Sequence, residues 1–298
     1  MTASPLAEKT YRYCGRHFSA QEIDRIRQLI GSTPPLNRAG LSRKVCDELG
    51  WLRVDGRRKD MSCRVAMLRM HRDGLITLPP PQTRNGNGRH RVRITSASDP
   101  QEPLSAPAGA LGELVFRPVV TRQESRLWNE LIARYHYLGY TPLPGAQMRY
   151  GVYGHGSRLV AVLGFGAAAW AVAPRDRFIG WSGEQRVQNL HLVVNNARFL
   201  ILPWVQCRNL ASRILSGAAK RLPAHWRERY GYEPVLLETF VQQDRFQGTC
   251  YRAANWLHVG QTQGRGKLDP KKLRALPIKE IFLYPLHKHF RTQLLASR

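Results

Sequence analysis

The sequence predicts two domains: a winged helix-turn-helix in residues 1–95 and a mixed-sheet α/β domain in residues 114–298, joined by a linker over residues 96–113. Three observations predict this. Residues 19–74 carry three successive helical stripes, followed by a glycine- and asparagine-rich hairpin signal. Residues 96–113 are rich in Ser, Ala, Pro, Gly, Glu and Asp and show no periodic pattern. Beyond them, helical periodicity alternates with apolar runs of strand length. A chain of 298 residues is long for one domain, and either part is large enough to bury a core without disulfides or metal.

In the first domain, Ser19 and Glu22 form a capping box, and Ile23, Ile26 and Ile30 recur at helical spacing. A helix is expected over residues 20–30, with residues 31–35 ending it. A second helix fits residues 38–49, where Leu41, Val45 and Leu49 form one stripe and Gly50 supplies a left-handed stop. After a turn at residues 54–56, a third helix is expected over residues 59–73. It would bury Met61, Val65 and Leu68, leave Arg64, Arg69 and Arg72 on other faces, and close at Gly74. Residues 75–78 read as a short strand. The run from Arg84 to Arg91 contains Asn85-Gly86 and Asn87-Gly88 between strand-like segments and reads as a hairpin wing. In a winged helix the third helix enters the major groove and the wing touches backbone or minor groove. The DNA-binding candidates are therefore Arg64, Arg69 and Arg72, the wing residues Arg89 and Arg91, and Arg57, Arg58 and Lys59 where the helix begins. For any single arginine the alternative is simple solvation of the surface.

The formal net charge is +25, far more than solubility requires, and such an excess concentrates a polyanion around the protein. Residues 1–98 hold 19 Lys and Arg against 8 Asp and Glu, and the rest of the chain holds 27 against 13, so the charge is not a detachable tail. DNA is the expected partner. An anionic membrane is the rival, but no segment joins a lysine-rich face to an anchor, and no membrane partner is expected. Residues 1–16 lack the apolar core of a signal peptide, and the most apolar run, residues 159–173, is too short to span a bilayer and contains Gly164 and Gly166. A cytoplasmic protein is expected. Cys14, Cys46, Cys63, Cys207 and Cys250 are scattered without a Cys-x-x-Cys pair, the pattern of reduced thiols rather than of a zinc site.

In the second domain, Thr121 with Glu124 makes another capping box and opens a helix to about Tyr137. Strands are expected at residues 148–153, 159–165, 190–194 and 199–204. A helix follows over 210–222, a strand over 235–240, a short helix over 249–255 and a strand over 256–259. This order matches the GNAT acyltransferase fold, in which a central strand leads into a helix whose N-terminal N–H groups cradle a coenzyme A pyrophosphate.

Three segments carry a more specific likeness: residues 135–139 (YHYLG), 190–199 (LHLVVNNARF) and 248–256 (GTCYRAANW). With them the chain resembles the family of the Druantia anti-phage system protein DruA over nearly its whole length. That resemblance implies bacterial antiviral defence or a mobile-element setting, and other defence-system proteins as partners. The last segment is also similar to the corresponding helix of Mom-type phage proteins, GNAT-like enzymes that modify adenine in DNA. In GNAT enzymes a tyrosine of this helix protonates the departing thiolate, which would make Tyr251 a general acid; a core aromatic with a satisfied hydroxyl is the other reading. The chain departs from the GNAT pattern at residues 206–212 (QCRNLAS), which have no glycine where the pyrophosphate loop needs it. Acetyl-CoA is therefore not expected to bind. Asn209 and Ser212 could instead cap the helix around a DNA phosphate, with Arg208 pairing to it.

Strand cleavage is the other chemistry to weigh. Glu238 at a strand end, His191 on a neighbouring strand, and His136 or Asp176 in flanking segments could converge on a divalent metal, with Tyr135 or Tyr137 attacking a phosphate. The catalytic candidates are Glu238 as base or ligand, His191 and His136 as ligands or orienting groups, and Tyr251 as proton donor. Arg265 and Lys267 sit in a Gly-Arg-Gly-Lys loop that is not a Walker motif and reads as a phosphate-contacting loop or as solvated surface.

Overall fold

The computed structural model describes residues 10–32, 36–82, 92–264 and 276–297. Contacts divide the chain into two compact units, Met1–Gly88 and Arg89–Arg298.

The first unit opens with a hairpin of β1 (Tyr11–Tyr13) and β2 (Arg16–Phe18), followed by α1 (Ala20–Ile30), α2 (Arg38–Glu48) and α3 (Asp60–Arg72). The α1 capping box is formed: Ser19 Oγ accepts the Glu22 N–H at 3.2 Å, and the Glu22 carboxylate accepts the Ser19 N–H at 3.1 Å. Gly50 and Gly74 take the left-handed conformation after α2 and α3 (φ 56° and 75°). Phe18, Ile23, Ile26, Leu41, Val45 and Met67 close the core between the three helices. The face of α3 differs from expectation. It buries Cys63, Ala66, Met67 and Met70, while Met61 is 57% and Val65 39% exposed. Cys63, Ala66, Met67 and Met70 form an unbroken stripe at three- and four-residue spacing, and the small Cys and Ala let α3 approach the other helices. Residues 75–78 form no strand. Ile76 and Leu78 instead hold an extended segment in the core, and the Leu78 N–H donates to His71 Nδ1 at 3.4 Å. The expected wing at residues 84–91 lies outside the described residues.

The second unit contains, in chain order, β3 (Leu104–Ser105), β4 (Val115–Pro118), α4 (Arg122–Tyr135), β5 (Met148–Tyr153) and β6 (Leu159–Ala167). There follow α5 (Ala173–Ile179), α6 (Gly183–Asn189), β7 (Val193–Ile201), β8 (Val205–Gln206) and α7 (Leu210–Tyr230). The chain continues through β9 (Leu236–Gln242), α8 (Thr249–Ala253), β10 (Leu257–Gln261), β11 (Lys279–Pro285) and α9 (Phe290–Leu295). Seven strands make one mixed sheet in the order β10-β11-β9-β7-β6-β5-β4. All neighbours are antiparallel except β7 and β9, the pair connected through α7, as a parallel crossover requires. Gly164 faces Trp128 of α4, whereas Tyr150, which sits opposite Leu163, bonds through its hydroxyl to His225 of α7. Neighbouring strand residues point to opposite faces, so α4 and α7 cover opposite faces of the sheet.

Two differences from the sequence reading bear on the site. Residues 190–194 and 199–204 are not two strands; Leu190–Leu192 form a 3-10 turn and Val193–Ile201 one strand. The polar run Asn195-Asn196 looks like a break, yet Asn196 is buried and hydrogen-bonded within the sheet, where a register shift against Gly164 and Phe165 accommodates the chain. Residues 96–113, placed between the domains by composition, contain 3-10 turns at Ser96–Ser98 and Ala108–Leu111, and β3 pairs parallel with β8. The buried Glu130 carboxylate of α4 accepts both the Thr95 N–H (2.9 Å) and the Thr95 hydroxyl (2.8 Å), tying this stretch to the larger unit.

Candidate functional site: a cleft between diverging strands

The parallel ladder joins Val193–Asn195 to Leu236–Glu238 and stops there, although β7 continues to Ile201 and β9 to Gln242. Between the two continuing strands lies a cavity of about 550 Å³. Its polar floor is a small network. The Tyr251 hydroxyl donates to Asn196 Oδ1 at 2.8 Å, Thr239 Oγ1 donates to the Asn196 carbonyl at 3.0 Å, and Asn196 Nδ2 donates to the Arg198 carbonyl at 3.2 Å. Phe199, Phe240 and Val241 add apolar wall.

Tyr251 reaches this floor because α8 begins at Gly248, whose φ is 69°. A Cβ there would meet the Phe282 ring at 2.6 Å, so only glycine allows both the turn and the close approach of α8 to the sheet. The Tyr251 ring stacks on Phe282 with centroids 5.8 Å apart. Burial pushes its phenol above the ordinary range, with the Thr239 hydrogen bond opposing the shift.

The mouth of the cleft is aromatic and basic. His136, the C-terminal cap of α4, stacks on Tyr137 at 4.9 Å, and Tyr137 meets Phe246 edge-on at 5.1 Å. The Arg245 guanidinium lies 5.3 Å from the Tyr137 ring centre. His136 Nδ1 accepts the Leu138 N–H at 3.2 Å, which places the ring proton on Nε2. Burial, and after it the Arg198 charge, lowers the His136 pKa to about 4, so the ring is neutral at pH 7. Arg198 donates to Thr141 Oγ1 and to the Ala197 carbonyl, both at 2.7 Å, and its buried Nε has no hydrogen-bond partner among the described residues. Lys279 lies close enough to feel the Arg198 charge, which together with the larger effect of burial lowers its pKa.

Of the residues expected to carry chemistry, the structure brings Tyr251 and His136 to the cleft, together with Tyr135 and Tyr137. Glu238 is elsewhere, fully buried, with Oε2 on Arg175 Nη1 at 2.7 Å and Oε1 accepting the Ala169 N–H at 2.8 Å. Burial raises its pKa, and the Arg175 charge offsets this only in part. Asp176 belongs to the same ion network, taking Arg175 Nη2 at 2.8 Å and Arg186 Nη1 at 3.1 Å. His191 sits in the 3-10 turn before β7, edge-on to Tyr232 at 5.1 Å. Among the described residues no group of three or more His, Cys, Asp or Glu is placed to hold a metal ion.

The junction before α7 fits a coenzyme A pyrophosphate poorly. Residues 206–212 have no glycine, and Gln206 is held against Ser105 in the β3–β8 ladder. Asn209 occupies the N-cap position at φ 64°, but its side chain caps nothing, and Ser212 Oγ donates to the Asn209 carbonyl at 3.1 Å rather than accepting from the helix N–H groups. Neither is the capping residue the sequence suggested: Asn209 stands at the cap position in a left-handed conformation without a side-chain cap bond. Arg208 is exposed.

In the first unit, Arg57, Arg69 and Arg72 are exposed, and Lys59 precedes α3. Arg58 is paired with Asp47 at 2.5 Å and Arg64 more loosely with Asp60 at 3.7 Å. Arg89, Arg91, Arg265 and Lys267 lie outside the described residues. Sequence reasoning missed Asn196, Thr239, Arg198 and Phe246. The one available signal was Asn195-Asn196-Ala197-Arg198 set within an apolar run, where polar residues in a central strand mark a site.

Fold and cleft together define a mixed-sheet α/β protein with an aromatic-lined cleft and a separate three-helix unit. The family model of the Druantia protein DruA matches residues 69–276, well over half of the sequence, and the chain belongs to that family. No curated protein matches it. Among solved structures it is similar to a chimera of the Vibrio cholerae spermidine N-acetyltransferase SpeG and hSSAT (10% identity, 58% of this chain and 95% of that one, TM-score 0.39). It is similar also to V. cholerae SpeG with manganese ions (11%, 60% and 96%, 0.38) and to the same organism's enzyme with CoA and spermine (10%, 61% and 98%, 0.37).

Proposed function

We propose that the protein is a DNA-binding component of bacterial anti-phage defence that works in the cytoplasm. It engages DNA through the three-helix unit, acting as a winged-helix reader, and through the basic GNAT-like α/β unit. The observation that carries this reading is the net charge of +25 spread over both parts of the chain, with Arg57, Arg69 and Arg72 exposed along and just before α3. Membership of the DruA family supports the defence setting, and other defence-system proteins are the partners this reading would add.

The test is fluorescence anisotropy with labelled duplex and single-stranded DNA across a salt series. Affinity should fall steeply with salt, because each phosphate contact releases counterions. Arg69→Glu with Arg72→Glu should weaken binding at least tenfold and flatten the salt slope by about 2, roughly one unit for each lost contact. Unchanged affinity together with a native melting curve would remove the reader role.

A second reading makes the α/β unit an active DNA-processing enzyme, modifying a base or nicking a strand, including as a mobile-element recombinase. The observation that favours it is the placement of the Tyr251 hydroxyl beside Asn196 and Thr239 on the floor of the cleft. Tyr251 would then be the proton donor. Incubating DNA with the protein, with and without magnesium or manganese, and measuring strand length and nucleoside mass decides between the readings.

A further inference from the structure

We propose that the cleft between β7 and β9 receives a single nucleotide swung out of the DNA stack, its base against the rings of His136, Tyr137 and Phe246 and its flanking phosphates against Arg198 and Arg245. This rests on the DNA-binding reading above and gives the larger unit a specific part in it.

Size, walls, rim and floor each point to this occupant. The cavity of about 550 Å³ falls in the range of small-molecule sites and is large enough for a base with its sugar. Beside aliphatic lining such as Leu138 and Leu200, its mouth offers π faces: the stacked His136–Tyr137 pair, and Phe246, which is 47% exposed although it is apolar. Every base has a π face, and proteins that take bases out of a duplex hold them between such rings. A protonated imidazole would repel the neighbouring guanidinium, but His136 stays neutral and so can serve as a stacking surface.

Beside the lining residues stand two guanidinium groups, Arg245 at 5.3 Å from the Tyr137 ring centre and Arg198, whose charge acts on His136; Arg198 spends its Nη groups on neutral oxygens while its Nε is unpartnered among the described residues. Around Tyr137 the charges that act are those of Arg198 and Arg245 against that of Asp244. An uncharged apolar ligand would leave these charges without a role; a nucleotide brings a phosphate on either side of its sugar. At the floor, the donors of Tyr251, Thr239 and Asn196 are spent on one another and on the Arg198 carbonyl, so what the floor offers a base edge is the remaining lone pairs of the two hydroxyls.

The test compares, for the full chain, the affinity for a fully paired duplex with that for the same duplex carrying one base opposite an abasic site, in four versions with A, C, G or T as the unpaired base. A base without a partner costs less to extrude, so at least one version should bind about tenfold more tightly than the paired duplex. Phe246→Ala alters a half-exposed residue, and together with Tyr137→Ala it should erase that preference while paired-duplex affinity stays within about twofold. Melting curves confirm that both variants are folded. Equal affinity for all five duplexes overturns the proposal while leaving DNA binding intact, as does a preference that survives both variants. Loss of binding to every duplex removes the DNA-binding reading and this inference with it. Acetyl-CoA that raises the melting temperature in wild type but not in Tyr137→Ala assigns the cleft to a coenzyme and also overturns the proposal.

Discussion

Glu238 and Tyr251 are both buried polar residues of the α/β unit, yet they stand in opposite relations to the cleft. Both oxygens of Glu238 are committed to Arg175 and the Ala169 N–H, and none reaches the cavity. The Tyr251 hydroxyl lies on the cavity floor. Glu238→Gln leaves the Arg175 guanidinium short of one charge in a buried setting and should cost on the order of 3 kcal/mol. Defence activity should fall only as far as stability does. Tyr251→Phe removes one hydrogen bond, worth on the order of 1–3 kcal/mol if Asn196 is left unsatisfied. Its effect on function should exceed its effect on stability. Denaturant melts paired with phage plating on cells carrying each variant measure both quantities. A Glu238→Gln protein that is fully stable yet inactive would return Glu238 to the chemistry. Sequence singled out Glu238 at a strand end and Tyr251 in the short helix that follows, but Arg175 lies 63 positions from Glu238, and no local pattern announces that partnership.

At the scale of elements, what could be read was what is local. Both capping boxes start their helices where Ser19-x-x-Glu22 and Thr121-x-x-Glu124 place them, because the hydrogen bonds span three residues. Strand β11 was missed, since its pairing with β9 is set by residues some forty positions earlier, and β7 was split because its polar centre is stabilised from α8. The end of α4 makes a prediction of its own. His136 has a folded-state pKa of about 4, below the ordinary imidazole value of about 6.5, so folding favours the neutral ring. Its contribution is complete above about pH 6.5 and is lost as pH falls towards 4, a total on the order of 3 kcal/mol. His136→Phe keeps an aromatic ring against Tyr137 and removes the titration. The difference in unfolding free energy between wild type and variant should therefore shift in favour of the variant as pH is lowered from 7 to 4. A difference that is flat with pH would mean the ring is not buried as a neutral group.

For the whole molecule, charge was fully legible because it is a sum over residues, whereas the cleft was not, because it exists only where a parallel pair stops pairing. The order of elements in the sequence resembles the GNAT fold, and that resemblance implies a coenzyme, but this chain's residues argue against one. A pyrophosphate needs small residues at the start of the helix after the central strand so that backbone N–H groups can reach it. Here Gln206 is drawn into a ladder with Ser105, and Asn209 takes a left-handed turn just before α7. Acetyl-CoA should therefore leave the melting temperature of the full chain unchanged. A ligand that binds only the native state at a hundred times its Kd stabilises by about 2.7 kcal/mol, a shift of several degrees that calorimetry resolves readily. If the proposed DNA binding holds, a short DNA duplex should produce such a shift at low salt, and raising the ionic strength should erase it, since contacts to phosphates release counterions. A clear rise with acetyl-CoA that persists in high salt would show that the junction before α7 still holds a pyrophosphate despite its lack of glycine, and the cleft would then have to be read as a coenzyme channel first.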